Sequence, residues 1–513
     1  MRPARKRQNC IHLFLLTLIL VLAGYLRLVN FPNRVSLGLD SARDAFVSLV
    51  GAKYLQLPIT GPFISIAPVT TGPWYWIQLI VFRLLVPSNF APWLLLALYS
   101  LGGVFVMYAI GRVLSGKRLG LLLSLLATFS PDAIDNATEL TNPSVIAFFS
   151  ELTILLFLLL LKKRSGRLLS ILFGAVLGLT VNTHYQSLGL FILVFILLFI
   201  KSLRGYILKF TLPSFAFTFI PTLIFEFNNH WFNSRNIWQY LTVDQFNIWT
   251  PMRWLTYLSD FWPTFVAFIM GGSAIFGALV IAAISLVFIW QLFRRRLPLP
   301  YVLLGVSFLI NVVIIRYYRG ERYFGYLQFF HPYVFIFTGY VLTTLWRIRW
   351  GALIASLFFI LYTGYIAPTI VERLKDVSFT AETYEYLAGI YQSFGQGPFT
   401  LYKCRDTVLP RINGLVLKLM MDGRYAQGGK TLLYHWGCQI PNVLVDGTVI
   451  SHEFIHQHAS EIYPRFDYVY DVSQASPAAM LLEGWREASP ESMYQSAARW
   501  WMDEQPGAKG KGP

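Results

Sequence analysis

Charge is what this sequence has least of. Of 513 residues only 13% are Asp, Glu, Lys or Arg, about half the share usual in a soluble domain, and 55% are hydrophobic. That balance excludes a soluble globular chain and leaves a polytopic membrane protein. Acids are scarcer still, 26 against 42 bases, for a formal net charge of +16. In a membrane protein such an excess chiefly anchors cytoplasmic loops, and no nucleic-acid partner is implied. Cysteine is nearly absent. Cys10 stands at the membrane entry, and Cys404 and Cys438 stand in the tail, where an extracytoplasmic location would allow a disulfide without requiring one. No small-residue cleavage site follows the basic opening "MRPARKRQNC" and its apolar run, so that run reads as a retained first helix rather than a secretory signal. No internal repeat and no tight cluster of metal ligands is visible. No cofactor is assigned, and a divalent metal, though possible, is not indicated.

What is present is a series of apolar runs punctuated by basic clusters at 2–7, 111–120, 162–167, 201–209, 294–296 and 347–349. The positive-inside rule places all of them in the cytoplasm, so the chain must cross an even number of times between any two. Between the first two clusters lie three hydrophobic stretches, at 11–29, 74–86 and 91–111. The middle one is short, carries Arg83 and is rich in Trp and Tyr, a composition suited to the interface plane. It is therefore laid flat outside, and the first outer loop, about 30–91, holds two interfacial helices near 41–55 and 73–86. The remaining helices are expected in pairs near 119–131 and 143–161, 168–182 and 187–203, 210–226 and 263–290, and 298–315 and 324–345. A last helix near 350–369 exits outward. The fold class is thus an α-helical polytopic membrane protein of about eleven spans, multi-pass in the plasma (inner) membrane with a cytoplasmic N-terminus. Residues 1–369 form its membrane domain and 370–500 a small C-terminal extracytoplasmic α+β domain. In that domain "FTLYKC" and "NVLVDGTVI" read as strands, and "TAETYEYLAGIYQSF" reads as a helix capped by Thr380. Residues 501–513 read as a disordered tail.

Sorted by side, the outer loops collect the ionisable groups: Asp40, Asp44, Asp132, Asp135, Glu139, His184, Glu226, His230, Arg235, Arg316, Arg319 and Arg322. Each taken singly is compatible with a solvated loop residue. Together, in loops that would converge over one bundle, they are candidates for function. Asp40 and Asp44 in "GLDSARDA" are i, i+4 and share a face if that stretch is helical. Asp40 is suited either to cap the helix or to take a proton from a hydroxyl. "RYYRGERY" puts three arginines where the positive-inside rule disfavours them. Arginine binds phosphate with bidentate, charge-assisted bonds, and the alternative is pairing with Glu321 plus headgroup anchoring. His184 is placed at the rim of a cavity, with an ordinary interfacial aromatic as the other reading.

These stretches resemble the GT-C class of integral-membrane glycosyltransferases, in particular the branch of protein O-mannosyltransferases, aminoarabinose transferases and related bacterial enzymes. "LGLDSARDA" is similar to the acidic signature of their first outer loop, and "TTGPWYWIQLIVFRLL" to the interfacial helix after it. "FSPDAIDNATELTNPS", with Asn142-Pro143, is similar to their second outer loop, and "LPSFAFTFIPTLIFEFNNHWFNSR" to a later stretch of the bacterial branch. The resemblance covers roughly residues 10–345. It implies a polyprenyl-phosphate sugar donor, a glycan, lipid or protein acceptor, and a site facing outward in the bilayer. It makes Asp40 the general base. Many members carry Asp-Glu there; this chain has Asp40-Ser41, with Asp44 one turn later. Direct displacement would invert the anomeric centre, and the lipid-phosphate leaving group would be met by Arg316, Arg319, Arg322 and Arg235. Glu139, Asn142, His184 and Glu226 complete the expected substrate-binding set. Two rivals remain: a transporter or lipid flippase, and a zinc metallopeptidase through "HEFIH", His452-Glu453-x-x-His456, with His458 nearby.

Overall fold

The computed structural model describes residues 2–64, 67–163, 165–248, 253–319, 322–347, 350–375, 378–404, 410–426, 428–435, 468–471, 473 and 485–489. Among these described residues six helices are long and apolar enough to cross a membrane: Cys10–Leu28, Ala91–Ser115, Pro143–Lys163, Ala274–Phe293, Leu299–Tyr317 and Gly351–Arg373. Tyr185–Leu198 and Lys201–Phe217 add a pair bent by 120°, and Trp74–Leu85 and Arg167–Thr183 are shorter apolar helices. The protein is a multi-pass membrane protein. Its chain divides into two compact units. One comprises Met1–Phe31, Pro58–Gln78 and Trp93–Lys375; the other comprises Pro32–Leu57, Leu79–Pro92 and Asp376–Pro513.

In the first unit the bundle is held by close backbone approaches and by buried polar groups that have no water to turn to. Gly174 and Gly178, four apart on helix Arg167–Thr183, let the helix Lys201–Phe217 come so near that an added Cβ would lie 2.2 Å from the Thr211 carbonyl oxygen, or 2.3 Å from the Thr218 hydroxyl. This is the small-xxx-small mode of membrane helices, sealed by interhelical hydrogen bonds. Thr211 Oγ1 donates to the Ser170 carbonyl at 2.9 Å and Ser214 Oγ to that of Ile171 at 2.9 Å. Arg27, only 1% exposed, ends the first helix with its guanidinium on Ser100 Oγ at 2.7 Å and the Ala127 carbonyl at 3.1 Å. It thereby caps the negative end of helix Lys117–Thr128.

The expected helix over 263–290 is two helices. Trp262–Met270 and Ala274–Phe293 are separated by Gly271 and Gly272 at φ 87° and 90°, a left-handed step that only glycine takes without strain. Tyr362 Oη donates to the freed Met270 carbonyl at 2.6 Å. The expected outer loop before it is largely helical too, with Phe232–Gln239, Tyr240–Asp244 and Trp254–Thr256 running on into Tyr257–Phe261. The expected helix over 187–203 stops at Leu198, and the basic run after it already belongs to the next helix. That helix carries a π-turn, Ile207–Thr211, just before Pro213, whose ring cannot sit on a regular turn.

Helix Leu39–Tyr54, in the second unit, and helix Trp74–Leu85 lie close to the expected sequence positions. The tail is α+β. Strands β1 (Phe399–Cys404), β2 (Lys430–His435), β3 (Tyr468–Asp471) and β4 (Trp485–Glu487) form one sheet in the order β3-β2-β1-β4, with β1 and β2 parallel. Helix Pro410–Met421 lies between β1 and β2 in the chain. Helix Ser378–Phe394 starts before Thr380, so Thr380 is not its cap; the hydroxyl donates instead to the Val35 carbonyl at 2.6 Å. The run 442–450, Cys438 and residues 501–513 lie outside the described residues.

The glycine contact gives a direct test. Gly174→Val should destabilise the detergent-solubilised protein by about 3 kcal/mol through overpacking. Gly205→Ala, whose added Cβ meets nothing within 4 Å, should leave thermal unfolding unchanged or slightly raised.

Candidate functional site

The acidic helix of the first loop starts after Gly38, whose backbone is extended. Asp40 sits in the first turn, where a carboxylate is favoured by the unpaired amides, and its side chain is 57% exposed. Asp44, a turn later, is fully buried. Arg43 joins the two, with Nη1 2.6 Å from Asp40 Oδ1 and Nε 2.8 Å from Asp44 Oδ1. Arg43 thus bridges the buried acid and the exposed one. Arg43 was not singled out from the sequence, although its i, i+3 and neighbouring spacings to the two acids were there to read.

In the first unit the arginines of "RYYRGERY" gather at the end of helix Leu299–Tyr317. Arg316 is 8% exposed, lies over the Trp254 ring at 5.3 Å and the Tyr317 ring at 5.6 Å, and its Nε and Nη1 have no hydrogen-bond partner among the described residues. Arg322 donates to the carbonyls of Ile315, Arg316 and Tyr318 at 3.2, 3.3 and 2.9 Å, closing the turn, and burial holds its guanidinium below the usual range. Arg319 lies over Phe246 at 4.5 Å. Tyr257 locks the neighbouring helix in place by donating to the Val312 carbonyl at 2.8 Å. The sequence reading missed this aromatic wall. Its signal was the density of rings in "RWLTYLSDFWP", with Trp254, Tyr257 and Phe261 at helical spacing. Glu321 lies outside the described residues.

The other expected site residues are placed differently from one another. His184 is buried, and its Nδ1 has no partner among the described residues. Its ring lies tilted against Tyr326 at 5.1 Å, and burial drives its imidazole down to about 4, so the ring is neutral at pH 7. Asn142 donates to the Thr183 carbonyl at 2.8 Å and so ties the second outer loop to the turn bearing His184. Glu226 accepts from Asn233 N at 2.8 Å, Ser234 N at 2.9 Å and Ser234 Oγ at 2.5 Å, holding the start of helix Phe232–Gln239. Asn233 in turn pairs with Thr70. Arg235 and His230 are exposed. Glu139 is half-buried and, with Asp132 and Asp135, adds to the burial that pushes the Tyr323 hydroxyl up.

One buried constellation was not expected. His331 Nε2 lies 3.0 Å from Asp132 Oδ2, and Asn136 donates both to that carboxylate at 3.1 Å and to Gln328 Oε1 at 3.0 Å. A histidine opening a helix inside an apolar run, "FFHPYVF", is itself a signal that such a partner exists. Among the described residues no three or more His, Cys, Asp or Glu converge as metal ligands would. The motif His452-Glu453-x-x-His456, with His458, lies outside them.

Comparison with known proteins bears on the fold. Residues 73–227 match the family model described as dolichyl-phosphate-mannose-protein mannosyltransferase. The apo crystal structure of ArnT from Cupriavidus metallidurans superposes with a TM-score of 0.50 at 17% identity, covering 80% of this chain and 75% of that one. The Archaeoglobus fulgidus oligosaccharyltransferase, crystallised with a tethered acceptor peptide, gives 0.50 at 14% identity, covering 74% of this chain and 57% of that one. No curated protein matches the sequence.

The depressed His184 has a measurable consequence. Its folded value lies below the unfolded one of roughly 6.5, so the unfolded chain takes up the proton first as pH falls. Its contribution is fully present above about pH 6.5 and is lost towards pH 4, up to about 3 kcal/mol. His184→Phe should therefore lose less thermal stability between pH 7 and pH 4.5 than the parent does.

Proposed function

With the GT-C fold of integral-membrane glycosyltransferases as the premise, we propose that this protein moves a sugar from a polyprenyl-phosphate donor to an acceptor hydroxyl on the outer face of the plasma (inner) membrane. The observation that carries the reading is Arg316: a guanidinium nine-tenths buried, against aromatic rings, with two nitrogens unpaired among the described residues. A buried cation is costly unless an anion joins it, and a lipid phosphate is the anion that arrives at this depth. The family description, which names a dolichyl-phosphate sugar, points the same way.

The reaction is a single displacement. The acceptor oxygen attacks the anomeric carbon, the bond from that carbon to the phosphate oxygen breaks, and polyprenyl phosphate leaves. Asp40 takes the hydroxyl proton, and a single displacement inverts the anomeric configuration. Arg43 orients Asp40 from the buried Asp44. Arg316 and Arg319, with Arg322 closing their turn, offset the charge that grows on the phosphate, where fixed cations act without reorganising. Arg235 is assigned to the same anion. His184, neutral, offers a hydrogen bond to the sugar; Glu139 does likewise, while Asn142 and Glu226 hold the loops that carry the site. The two first-loop helices lie in the interface and line a groove for the prenyl chain. Acceptors are glycan, lipid or protein hydroxyls.

The same reading assigns eleven crossings, a cytoplasmic N-terminus and an extracytoplasmic tail domain. The way helix ends pair supports it. Expected outer ends meet at Ser130 with Ile269 (2.6 Å), Asn142 with Thr183 (2.8 Å) and Arg373 with Asp135 (3.2 Å). Expected inner ends meet at Ser115 with Tyr301 (3.1 Å).

The test is turnover. Purified protein is given a panel of polyprenyl-phosphate sugars and release of polyprenyl phosphate is followed. The parent should turn over at least one of them, and Asp40→Asn should lower kcat roughly 100-fold or more. Undiminished turnover by Asp40→Asn would remove Asp40 from the mechanism.

A further inference from the structure

The acidic helix does not stand on its own. It is preceded by the segment 32–38, "PNRVSLG", in which Val35 and Leu37 are buried. A buried backbone carbonyl needs a donor, and here the tail supplies it, from residues more than 300 positions away. Thr380, itself fully buried, donates to the Val35 carbonyl at 2.6 Å. One turn along the same helix, Tyr384 Oη donates to the Pro32 carbonyl at 3.0 Å. On the next tail helix, Gly414 sits so close that an added Cβ would be 3.1 Å from the Leu37 carbonyl oxygen and 3.3 Å from Thr383 Oγ1. That helix, Pro410–Met421, packs directly on Leu39–Tyr54, the helix bearing Asp40 and Asp44. Its last residue, Met421, accepts a hydrogen bond at 3.1 Å from Asn89 of the first outer loop.

The grip is specific in kind as well as in number. Main-chain carbonyls of 32–38 are held, so what is fixed is the path of the chain into the acidic helix rather than one side chain. The other sequence neighbours of Asp40 do the remainder: Asp44 is buried and Arg43 bridges to it. We propose that the tail domain positions the first-loop carboxylates, with Thr380, Tyr384 and Gly414 as positioning residues that set where Asp40 points. This rests on the sugar-transfer reading for its consequence in turnover, but not for the strap itself. Misplacement of a reacting group by about 1 Å is enough to cost on the order of 100-fold in rate, so a strap of this kind has something to protect.

The experiment uses the full chain in detergent. Hydrogen–deuterium exchange is measured on peptides spanning 35–48, with peptides from helix Ala91–Ser115 as the internal reference. Thr380→Val should speed exchange over 35–48 about fivefold, the loss of roughly one hydrogen bond. The reference should not change, and Thr380→Ser should restore the parent rate. Gly414→Val should act on the same peptides. With polyprenyl-phosphate mannose and the other lipid-linked sugars above as probe donors, Thr380→Val should lower kcat about tenfold while KM for the donor stays within twofold.

Parent-like exchange over 35–48 in both Thr380→Val and Gly414→Val overturns the proposal. So does faster exchange spread equally over the reference helix, which would make Thr380 a general stability residue. Faster local exchange together with full turnover by Asp40→Asn overturns the catalytic reading of Asp40 while leaving the strap in place, so the two failures are told apart.

Discussion

A guanidinium taken out of water must be compensated. Arg316 meets that constraint with the faces of two rings and with no carboxylate among its described contacts. Cation–π contact offsets only part of the lost hydration, which leaves room for an anion with several acceptor oxygens. Arg322 and Arg319 stand differently: the first is spent on the carbonyls of its own turn and the second lies over Phe246. Three arginines that look equivalent in "RYYRGERY" therefore have three environments, and Arg316 is the one set against rings with buried Nε and Nη1 that have no hydrogen-bond partner among the described residues.

The acids are graded in the same way. Asp44 is buried and Asp40 is the exposed member of the pair, with Arg43 shared between them. On the proposed reaction the exposed carboxylate accepts the proton and the buried one fixes the arginine between them. In the first unit several buried polar groups serve the frame. Arg27 closes a helix end, Glu226 starts another, and Asp132 with His331 and Asn136 joins the second outer loop to helix His331–Leu345. Polar residues inside a membrane protein are expensive, and Arg27, Glu226 and Asp132 each face the partners named here.

Much of this was legible in the sequence because the bilayer constrains it so strongly. Apolar length, the side on which arginines fall and the aromatic character of "PWYWIQLIVFRLLV" led to a polytopic helical fold, and the helices at 39–54 and 74–85 lie near where they were expected. Hydropathy fails where two apolar segments touch end to end. Nothing in the apolarity of 263–290 marks the turn at Gly271-Gly272, though the glycine pair itself does. The long outer segment 227–262 reads as loop from its charges, yet most of its described residues are helical, and rings such as Tyr257 and Phe261 pack inward. Thr380 shows a further limit: its position suggests a cap, and only the fold reveals that its hydroxyl serves a carbonyl 345 residues away.

The central claim is that Arg316 is there to meet a lipid phosphate. It is tested most directly by equilibrium binding to the protein in nanodiscs, comparing a polyprenyl phosphate with the matching polyprenol. The account predicts that the parent prefers the phosphate by tenfold or more and that Arg316→Gln, which keeps a polar side chain but removes the charge, erases most of that preference, in line with a charge-assisted contact of roughly 1.5–3 kcal/mol. Equal affinity of parent and Arg316→Gln for the phosphate would contradict it.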